Sequence, residues 1–560
     1  ARTLNIGGNL EIQGGNYSIS AAGSTVSPIT NVTGNVIISG GTLDINGGTS
    51  TGTSTLNVGG NFTHTAGTLT KSGSATGVIN FNGTTAQTIE STGQGGIIAF
   101  NITQTGASGT TSVASGKTFV LGNASTFTVN NNTSAATEFT VNGTFRNSTT
   151  VTTTVITVGS SAVVNVANGG TYEHAKNGGS IPAFTYSSGS TINVTGITST
   201  MATLPALTDG HVIWNCGSQT ASTFFISSAS TYIGGDLTIL STGSGTITNG
   251  TASTARELNI LGNLNISGGT YNILGSNAAS NTTQTTNVAG NVLQTGGTLT
   301  IAAGLAIGNG ILNIDGNLTI NNSIGTSNFA IATTTTAGAG GGSLNLKGNL
   351  NHTAGTFGKN SSANCIATLT FNGTSGSQTI ITTGVTNAVN VVINNSNHVN
   401  LGSNLSLSGT LTFTTGNLAL ASNTLTFASG ASCNIGDTRQ ITGNGTVNIN
   451  NGASFTTANS NGLVGSIPNA TITTGSTSTV VFNSTSAQNI DASSNYGNLT
   501  VTGASTKTLL GDVTINGLLT LANSSKLNIG ANTLTLAGTV SGMSASNCLV
   551  TNSAATNSNL

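Results

Sequence analysis

Apolar and polar residues alternate in short runs along this chain, and one seven-residue pattern recurs among the runs. It reads apolar or Thr, Asn, apolar, any residue, Gly, Asn, apolar, and its first copy is Leu4-Asn5-Ile6-Gly7-Gly8-Asn9-Leu10. Alternation with a period of two predicts short β-strands that bury one face. Further copies begin at Thr30, Leu56, Leu258, Thr286, Leu312 and Leu344.

The Gly-Asn pair of each copy is predicted to turn the chain, because Gly and Asn enter the left-handed backbone conformation at least cost. The residue before the Gly shares no chemistry between copies, so we predict that it faces solvent. The residues at this position are Gly7, Thr33, Gly59, Leu261, Ala289, Asp315 and Lys347. Since the constant members are all structural, the pattern indicates a folding unit and not a site.

Successive copies are separated by nearly constant distances. The first Asn positions give 31−5 = 26 and 57−31 = 26, then 287−259 = 28, 313−287 = 26 and 345−313 = 32. A period of this size indicates coils that stack on one another. We therefore predict an all-β fold, a right-handed parallel β-solenoid that forms a single elongated rod. Val, Ile, Leu and Phe are expected inside the coils, and Asn and Thr are expected to form ladders along them.

Longer correspondences predict two tandem copies of one large unit. The segment from His64 to Thr68 matches that from His352 to Thr356 at an offset of 352−64 = 288. Gly179-Ser180-Ile181-Pro182 matches Gly465-Ser466-Ile467-Pro468 at 465−179 = 286. The predicted domains are residues 1–255 and 256–545, two units of one continuous stack, followed by a polar tail at 546–560.

A second motif places Phe-Asn before a turn, with a Gln a few residues later. Its copies begin at Phe81, Phe371 and Phe482 and lead to Gln87, Gln378 and Gln488. We expect Phe81 and Phe371 to be buried core residues.

Composition supports short strands and restricts the partners. Gly contributes 79 residues and Pro 4, while 36% of the residues are hydrophobic, which in regular alternation argues against disorder. Only 4% are charged, against about 25% in ordinary soluble domains. The 11 Lys and Arg are spread from Arg2 to Lys526, so the chain lacks the basic stripe that nucleic acid or an anionic membrane surface requires. No apolar run approaches the length of a transmembrane helix, so membrane insertion is not expected.

The four cysteines are too far apart in sequence for a zinc pattern. Buried free thiols are the favoured interpretation, and a disulfide is the alternative. The four residues are Cys216, Cys365, Cys433 and Cys548.

Most of the 12 acids stand alone, whereas a β-helical enzyme that cleaves polysaccharides needs two or three carboxylates on neighbouring coils. The nearest candidate is Glu173-His174 with Asp209 and His211, which are about one coil apart and therefore able to lie close together. We interpret these as isolated, solvated polar residues on turns, with catalysis as the alternative.

Three further motifs are not interpreted as sites. Ser115-Gly116-Lys117-Thr118 resembles the end of a phosphate loop, but Thr111 stands where the leading Gly belongs. Lys507-Thr508 is interpreted as the same repeat sequence in the second unit. The pairs His64 with Lys71 and His352 with Lys359 are explained by duplication, and the calcium-binding Gly-Gly-x-Gly-x-Asp nonapeptide is absent. We predict no catalytic residue, no metal and no cofactor.

The chain contains the alternation of Leu312–Ile320, Phe-Asn-Gly-Thr segments followed by Gln-Thr-Ile, and the related runs Ser408–Phe413 and Thr424–Phe427. These features resemble the very long, repetitive surface and adhesin-like proteins of Bacteroidetes and related bacteria. The resemblance covers nearly the whole chain and is specific for architecture. It implies export, often through a C-terminal sorting domain, and display as a β-helical stalk or fibre. No such domain is recognisable in Ser541–Leu560.

We therefore expect an extracellular structural rod without catalysis, secreted or on a bacterial cell surface, as the shaft of an adhesin or the subunit of a fibre. Neither terminus shows a capping helix or charged loop, so the expected partners are like subunits or further coils of the same protein, head to tail. Glycans or other cell surfaces are further candidate partners. The alternative is a carbohydrate-binding or polysaccharide-degrading β-helix protein, which a groove with three or more acids and flanking aromatic residues would favour.

Overall fold

The alternating runs form strands, and each strand pairs in parallel with a strand about one coil away in the sequence, as a parallel β-solenoid requires. The computed structural model describes residues 2–21, 23–104, 109–132, 137–151, 155–202, 204–224, 229–249, 254–275, 282–303, 308–333, 340–360, 365–385, 387–492 and 495–551. The predicted all-β, parallel β-solenoid architecture is thereby confirmed.

The chain divides into two compact units, one made of Ala1–Thr248 with Leu258–Thr270 and the other of Asn249–Glu257 with Tyr271–Leu560. The predicted boundary between residues 255 and 256 stays a prediction. Within the predicted tail, Cys548–Val550 is a strand paired with Lys526–Asn528, and residues 552–560 lie outside the described ranges.

In the first unit the strands form three main sheets, and every register that the structure gives is parallel. The first sheet contains Thr3–Ile6, Ile29–Val32, Ser54–Val58, Gly77–Phe81, Ile98–Ile102, Thr126–Val129 and Ile156–Val158. The second contains Leu10–Ile12, Val36–Asp44, Phe62–Thr70, Gln87–Ser91, Thr118–Asn123, Thr144–Thr149, Thr171–His174, Thr191–Val194, His211–Asn215, Leu237–Ser241 and Leu264–Ile266. The third side contains Asn16–Ser18, Thr111–Val113, Phe139–Val141, Val164–Val166 and Thr185–Tyr186. The remaining strands are Ser222–Phe224, Ser230–Ile233 and Thr246–Thr248, and Arg256–Ile260 and Thr270–Leu274 contribute residues to both units.

The second unit repeats this plan with shorter coils towards its end. Its first sheet contains Thr283–Val288, Asn309–Ile314, Gly342–Leu346, Ala367–Phe371, Asn390–Asn394, Thr410–Thr415, Ser432–Asn434, Ser454–Thr457, Thr479–Phe482, Asn498–Val501, Leu519–Leu521 and Val540–Ser541. The second side contains Val292–Gln294, Leu318–Ile320, Leu350–His352, Gln378–Thr382, Val399–Leu401, Leu418–Ala419 and Ile441–Thr442, then Gln488–Ile490, Thr506–Leu509, Lys526–Asn528 and Cys548–Val550. The third contains Gly297–Ala302, Ser327–Ala332 and Thr356–Lys359, then Leu405–Leu407, Thr424–Phe427, Thr446–Ile449 and Thr471–Thr474, and finally Asn495–Tyr496, Val513–Ile515 and Leu534–Leu536.

The interior of the coils is apolar, because every second residue of a strand points inward. In Gly77–Phe81 the buried and partly exposed positions alternate strictly, and Ile79 and Phe81 are fully buried. Phe371 of the second unit is also fully buried. The expectation that Phe81 and Phe371 are core residues is confirmed.

Aromatic rings pack against one another inside the coils of the first unit, between residues 98 and 186. The rings of Phe127 and Phe139 are 4.9 Å apart between centroids, those of Phe127 and Phe145 are 5.0 Å apart, and Phe145 stacks on Tyr172 at 6.0 Å. Aromatic pairs at such distances contribute about 0.5–1.5 kcal/mol beyond the area that they bury. This part of the core is therefore the most aromatic of the first unit.

The Gly of the repeated Gly-Asn pair is required for a reason other than the predicted one. None of Gly8, Gly34, Gly60 or their Asn neighbours has a left-handed backbone. A Cβ atom on Gly34 would lie 2.7 Å from the backbone of Gly8, and one on Gly60 would lie 2.7 Å from the backbone of Gly34. The predicted left-handed turn is therefore wrong at this position, and Gly is needed because consecutive coils approach too closely for a side chain.

The position before that Gly faces solvent as predicted. Thr33, Leu261, Asp315 and Lys347 are exposed, whereas Gly59 is half-buried. Asp315 and Lys347 occupy this position on successive coils, and their charged atoms are 2.7 Å apart.

The described ranges contain one helix, Gly462–Ser466. In chain order it follows Ser454–Thr457 and precedes Thr471–Thr474, so it takes the place at which the preceding coil has Ile441–Thr442 and the next coil has Gln488–Ile490. Among the residues that the structure describes, no helix has the length and apolar character needed to cross a bilayer.

We predict that replacing Phe371 by Ala lowers the free energy of unfolding locally by about 3–5 kcal/mol, because the ring is fully buried. Coils contact mainly their neighbours, so hydrogen exchange should accelerate in the adjacent coils and remain unchanged in distant ones. Ile324→Ala is the control, since Ile324 is 69% exposed. A single global transition with an unchanged midpoint in Phe371→Ala would contradict the assignment of Phe371 to the core.

Candidate functional site

The first Asn of the repeated pattern forms a ladder of side-chain amides between coils. The Nδ2 of Asn31 donates to Oδ1 of Asn5 at 2.7 Å, and Asn57 donates to Asn31 at 2.7 Å. Asn80 and Asn101 continue the series at 2.9 and 3.0 Å. The predicted Asn ladder is confirmed, and each amide donates towards the preceding coil.

The second unit contains the same ladder, and one of its amides also contacts a carboxylate. Asn345 donates to Asn313 at 2.8 Å, and Asn313 donates to Asn287 at 2.7 Å. The Nδ2 of Asn287 then donates to Oε1 of Glu257 at 2.6 Å. A carboxylate only accepts hydrogen bonds, so Glu257 is a suitable acceptor for the amide of Asn287.

The second Asn of the pattern forms a different ladder, from side chain to backbone. Oδ1 of Asn9 accepts the backbone N–H of Asn35 at 2.9 Å, and Oδ1 of Asn35 accepts that of Asn61 at 2.8 Å. Asn317 and Asn349 are linked in the same way at 2.8 Å. Sequence reasoning assigned this Asn to a turn and missed its acceptor role, although its constant place before an apolar residue was the available signal.

Other acceptors replace Asn at this point of a coil. Oδ1 of Asp236 accepts the backbone N–H of Asn263 at 2.7 Å, and Nδ1 of His211 accepts that of Asp236 at 3.0 Å. In the second unit, Nδ1 of His398 accepts the backbone N–H of Asn417 at 3.1 Å. Asn, Asp and the His side chain share the ability to accept a hydrogen bond from a backbone N–H. This position therefore requires a hydrogen-bond acceptor and not one particular residue type.

The side chain of the Gln in the Phe-Asn motif forms hydrogen bonds with the turn of its own coil and with the backbone of the preceding coil. The buried Gln378 accepts the backbone N–H of Gly373 at 2.8 Å and donates to the carbonyls of Leu346 and Gly348 at 2.8 and 2.6 Å. Gln87 makes the equivalent bonds to Gly83, Val58 and Gly60. Gln488 makes them to Ser484, Thr457 and Asn459. The motif is therefore structural, since each amide satisfies backbone groups that the core would otherwise leave unpaired.

Lys507 is the aligned neighbour of Gln488 on the next coil and is fully buried. Its ammonium donates to the carbonyls of Ser484 and Gly503 and to the hydroxyl of Ser505. Burial lowers the pKa of this amine to about 8. Lys117 is instead exposed and lies 3.2 Å from the carboxylate of Glu90. The predicted equivalence of Lys117 and Lys507 is wrong, because the two lysines occupy different positions in the coil.

His64 and His352 occupy equivalent environments, in agreement with duplication. Nδ1 of His64 lies 3.1 Å from Oγ of Ser91, and Nδ1 of His352 lies 2.9 Å from Oγ1 of Thr382. Both histidines are 2% exposed, and burial lowers the pKa of each. Lys71 is half-buried and donates to the Ser74 carbonyl, and Lys359 is half-buried in Thr356–Lys359.

The candidate acid and histidine cluster does not come together. The Glu173 strand pairs with Thr191–Val194, which pairs in turn with the His211 strand, so two strand spacings of about 4.8 Å separate Glu173 from that strand. Asp209 is exposed next to His211, which accepts from the following coil. His174 points into the core and is fully buried. The four residues form no joint site.

The interpretation of the cluster as isolated, solvated residues is wrong for Glu173 and for the buried His174. Oε1 of Glu173 lies 3.7 Å from the guanidinium of Arg146 and accepts from the Thr195 hydroxyl at 3.0 Å. Glu138 is 3% exposed and its Oε2 accepts the backbone N–H of Val163 at 2.6 Å. These acids link neighbouring coils, because the surface of each coil lies within reach of the next.

The cysteines follow the favoured interpretation in part. Cys216 and Cys433 are buried free thiols, and Cys365 is also buried. Burial raises the pKa of Cys216 to about 11 and that of Cys433 further. Cys548 is half-buried, so the prediction that all four are buried is wrong for this residue.

The matching Gly-Ser-Ile-Pro segments line a cleft in each unit. The cleft of the first unit has a volume of about 250 Å³ and includes Ile181, Pro182 and the 6% exposed Lys176. The cleft of the second unit has a volume of about 470 Å³ and includes Gly465, Pro468 and the 5% exposed Asp491. Gly465-Ser466 ends the helix, whereas Gly179-Ser180 is not helical, so identical tetrapeptides adopt different local structures.

Among the described residues, no group of three or more His, Cys, Asp or Glu side chains is arranged to hold a metal. The predicted lack of metals and cofactors stays a prediction. Comparison of the chain with family models, with curated proteins and with solved structures finds no match.

We predict that Asn57→Asp destabilises the first unit by about 1–2 kcal/mol at neutral pH. A carboxylate cannot donate to Oδ1 of Asn31, so two acceptors would face each other in the ladder. Asn444→Asp, at an exposed position, is the control and should change stability little. Urea unfolding at neutral and acidic pH measures both variants. The ladder assignment fails if the two variants lose the same stability, or if acid does not partly restore Asn57→Asp.

We predict that the stability of the first unit falls by about 3 kcal/mol between pH 6.5 and pH 4, at about 1.4 kcal/mol per pH unit, through His174. Burial lowers the pKa of His174 to about 4, opposed by its hydrogen bond to the Gly178 carbonyl, and the charge of Lys176 lowers it further. Above pH 6.5, His174 is neutral in the folded and the unfolded chain, and its contribution to stability is complete. Below pH 6.5 the unfolded chain binds a proton at His174 while the folded chain does not, so the contribution is lost as the pH falls towards 4.

The measurement is urea unfolding across this pH range for the original chain and for His174→Gln. In His174→Gln, the free energy of unfolding of the coils around residue 174 should lose most of its dependence on pH. An unchanged slope in the variant would contradict the prediction.

Proposed function

We propose that this chain is an extracellular structural scaffold, part of an adhesin shaft or a surface fibre of a bacterium, without catalytic activity. The observation that carries the proposal is the use of the recurring side chains. Asn31, Asn35 and Gln87 each bond to a neighbouring coil. The same coil-to-coil bonds recur along the chain, which supports a structural role in stabilising the stack. The functional residues of an enzyme would instead lie together at one place.

The distribution of charge also supports a scaffold. Glu90, Glu173 and Asp315 face Lys or Arg on an adjacent coil, and Glu138 accepts backbone hydrogen bonds. The larger cleft includes one acid, Asp491, and none of its lining residues is aromatic. Cleavage of a polysaccharide requires two suitably placed carboxylates, so this cleft offers little support for the enzyme alternative.

The direction of the ladders supports head-to-tail association with like coils. Every amide of the first ladder donates towards the preceding coil, from Asn101 to Asn5 and from Asn345 to Asn287. A stack built in this way has a donor side and an acceptor side, which are complementary when a further coil is added in the same direction. Like coils, of the same protein or another copy, are therefore the proposed partners.

The proposal is tested in the organism that makes the chain. An antibody raised against the purified chain should label intact, unpermeabilised cells or their extracellular fibres in electron microscopy. The purified chain should release neither reducing ends nor unsaturated sugars from polysaccharides. Labelling only after lysis would contradict the proposed location, and saccharide release above that of a heat-treated sample would contradict the structural role.

We predict that Glu173→Gln lowers the free energy of unfolding by less than about 1 kcal/mol and leaves surface display unchanged. The distance of 3.7 Å to Arg146 and the partial exposure of both side chains make this a weak ion pair. Glu138→Gln is the contrasting variant, because it replaces a buried carboxylate that accepts from two backbone N–H groups. Equal losses in both variants would contradict this ranking of the acids.

A further inference from the structure

We infer that the cleft beside the helix Gly462–Ser466 is a binding site for a neutral saccharide. This inference adds a binding activity to the proposed scaffold and does not depend on it. The cleft has a volume of about 470 Å³, within the range of about 300–1,000 Å³ that small-molecule sites occupy. The cleft of the first unit, at about 250 Å³, lies below this range.

The helix takes the place of a strand of the solenoid and contributes Val464 and Gly465 to the lining of the cleft. Leu463 and Ile467 anchor the helical segment in the core and are 0% and 1% exposed, while Val464 points outward and is 47% exposed. Gly462 has a φ of 76°, and a Cβ atom there would lie 2.4 Å from the carbonyl oxygen of Asn489. The segment therefore packs tightly against the next coil at Gly462.

The carboxylate of Asp491 holds the start of the helix. Its Oδ2 accepts the backbone N–H groups of Leu463 and Val464 at 2.7 and 3.2 Å. Asp491 is 5% exposed and lines the cleft, and its backbone carbonyl accepts from the hydroxyl of Tyr496 at 3.4 Å. The backbone bonds therefore hold this carboxylate rigidly in the lining of the cleft.

Amides surround this carboxylate. Gln440 donates through Nε2 to the Gly465 carbonyl at 3.1 Å, which orients its Oε1 as a further acceptor. Asn459 is held by its bonds to Asp437 and Asn461, whereas the structure gives the side-chain amide of Asn489 no protein partner within the described residues. The cleft thus combines fixed polar groups with two side-chain amides, those of Asn461 and Asn489, to which the structure gives no protein partner within the described residues.

Apolar side chains form the rim. Leu510 and Val464 are 57% and 47% exposed, and Pro468 also lines the cleft. Exposed aliphatic groups next to carboxylate and amide groups match a sugar ring, which has C–H faces and hydroxyls that both donate and accept.

Other ligand classes fit less well. A hard cation requires six or more oxygen ligands, and the cleft contains one carboxylate, whose Oδ2 is occupied by the backbone of Leu463 and Val464. An anion would face the carboxylate of Asp491 without Lys or Arg in the lining. A neutral, hydroxyl-rich ligand is the class that these groups recognise.

The test uses the full chain and four probes: cellohexaose, xylohexaose, maltohexaose and laminarihexaose. Saturation-transfer NMR and titration calorimetry should detect binding of at least one of them. Asn489→Ala and Leu510→Ala should each weaken that binding about tenfold, the loss expected for one hydrogen bond or one apolar contact. Asn444→Ala, at an exposed position outside the cleft lining, is the control and should bind like the original chain.

Hydrogen exchange of Leu463 and Val464 in each variant establishes that the helical segment remains folded. Failure of all four saccharides to bind would overturn the inference. So would binding that Asn489→Ala and Leu510→Ala leave unchanged, or binding that Asn444→Ala reduces equally. None of these outcomes affects surface display or the coil-to-coil bonds, so the proposed scaffold is tested separately.

Discussion

The structure depends on one constraint: consecutive coils present nearly the same polar groups to each other, and every group that stacking buries must find a partner on the neighbouring coil. Backbone pairing satisfies the strands themselves. The corners between strands need side chains, and Asn is the smallest residue that both donates and accepts in one plane. Asn35 shows this use at a corner, since its Oδ1 accepts the backbone N–H of Asn61. Asn57 shows it within a strand, since its amide accepts from Asn80 and donates to Asn31.

Much of the fold can be predicted from the sequence, because the stacking constraint acts on each coil and produces the same pattern of residues in each. Alternation predicts the strands, the spacing of Asn5, Asn31 and Asn57 predicts their register, and the structure places these residues opposite one another. The reason for the Gly of the Gly-Asn pair was not predictable from one coil. It arises from the distance between two coils, where Gly34 lies against the backbone of Gly8.

The same limit applies to the residues with functional chemistry. Glu173 and His211 are close in sequence, but the position of a side chain along and across the coils depends on loop lengths that the pattern does not specify. Lys117 and Lys507 have similar local sequences, yet one is exposed beside Glu90 and the other is buried next to the Gln488 position. Gly465-Ser466 ends the helix beside the larger cleft, whereas the matching Gly179-Ser180 is not helical, so the shared tetrapeptide alone does not decide the local structure.

The most direct measurement of coil-to-coil bonding is a double-mutant cycle on Asn313 and Asn345, whose amides are 2.8 Å apart on adjacent coils. The free energy of unfolding would be measured for the original chain, for each Asn→Ala variant and for the double variant. The account predicts that the two single losses exceed the loss in the double variant by about 0.5–1.5 kcal/mol, because both single changes break the same bond. Additive losses would show that the aligned amides do not hold the coils together.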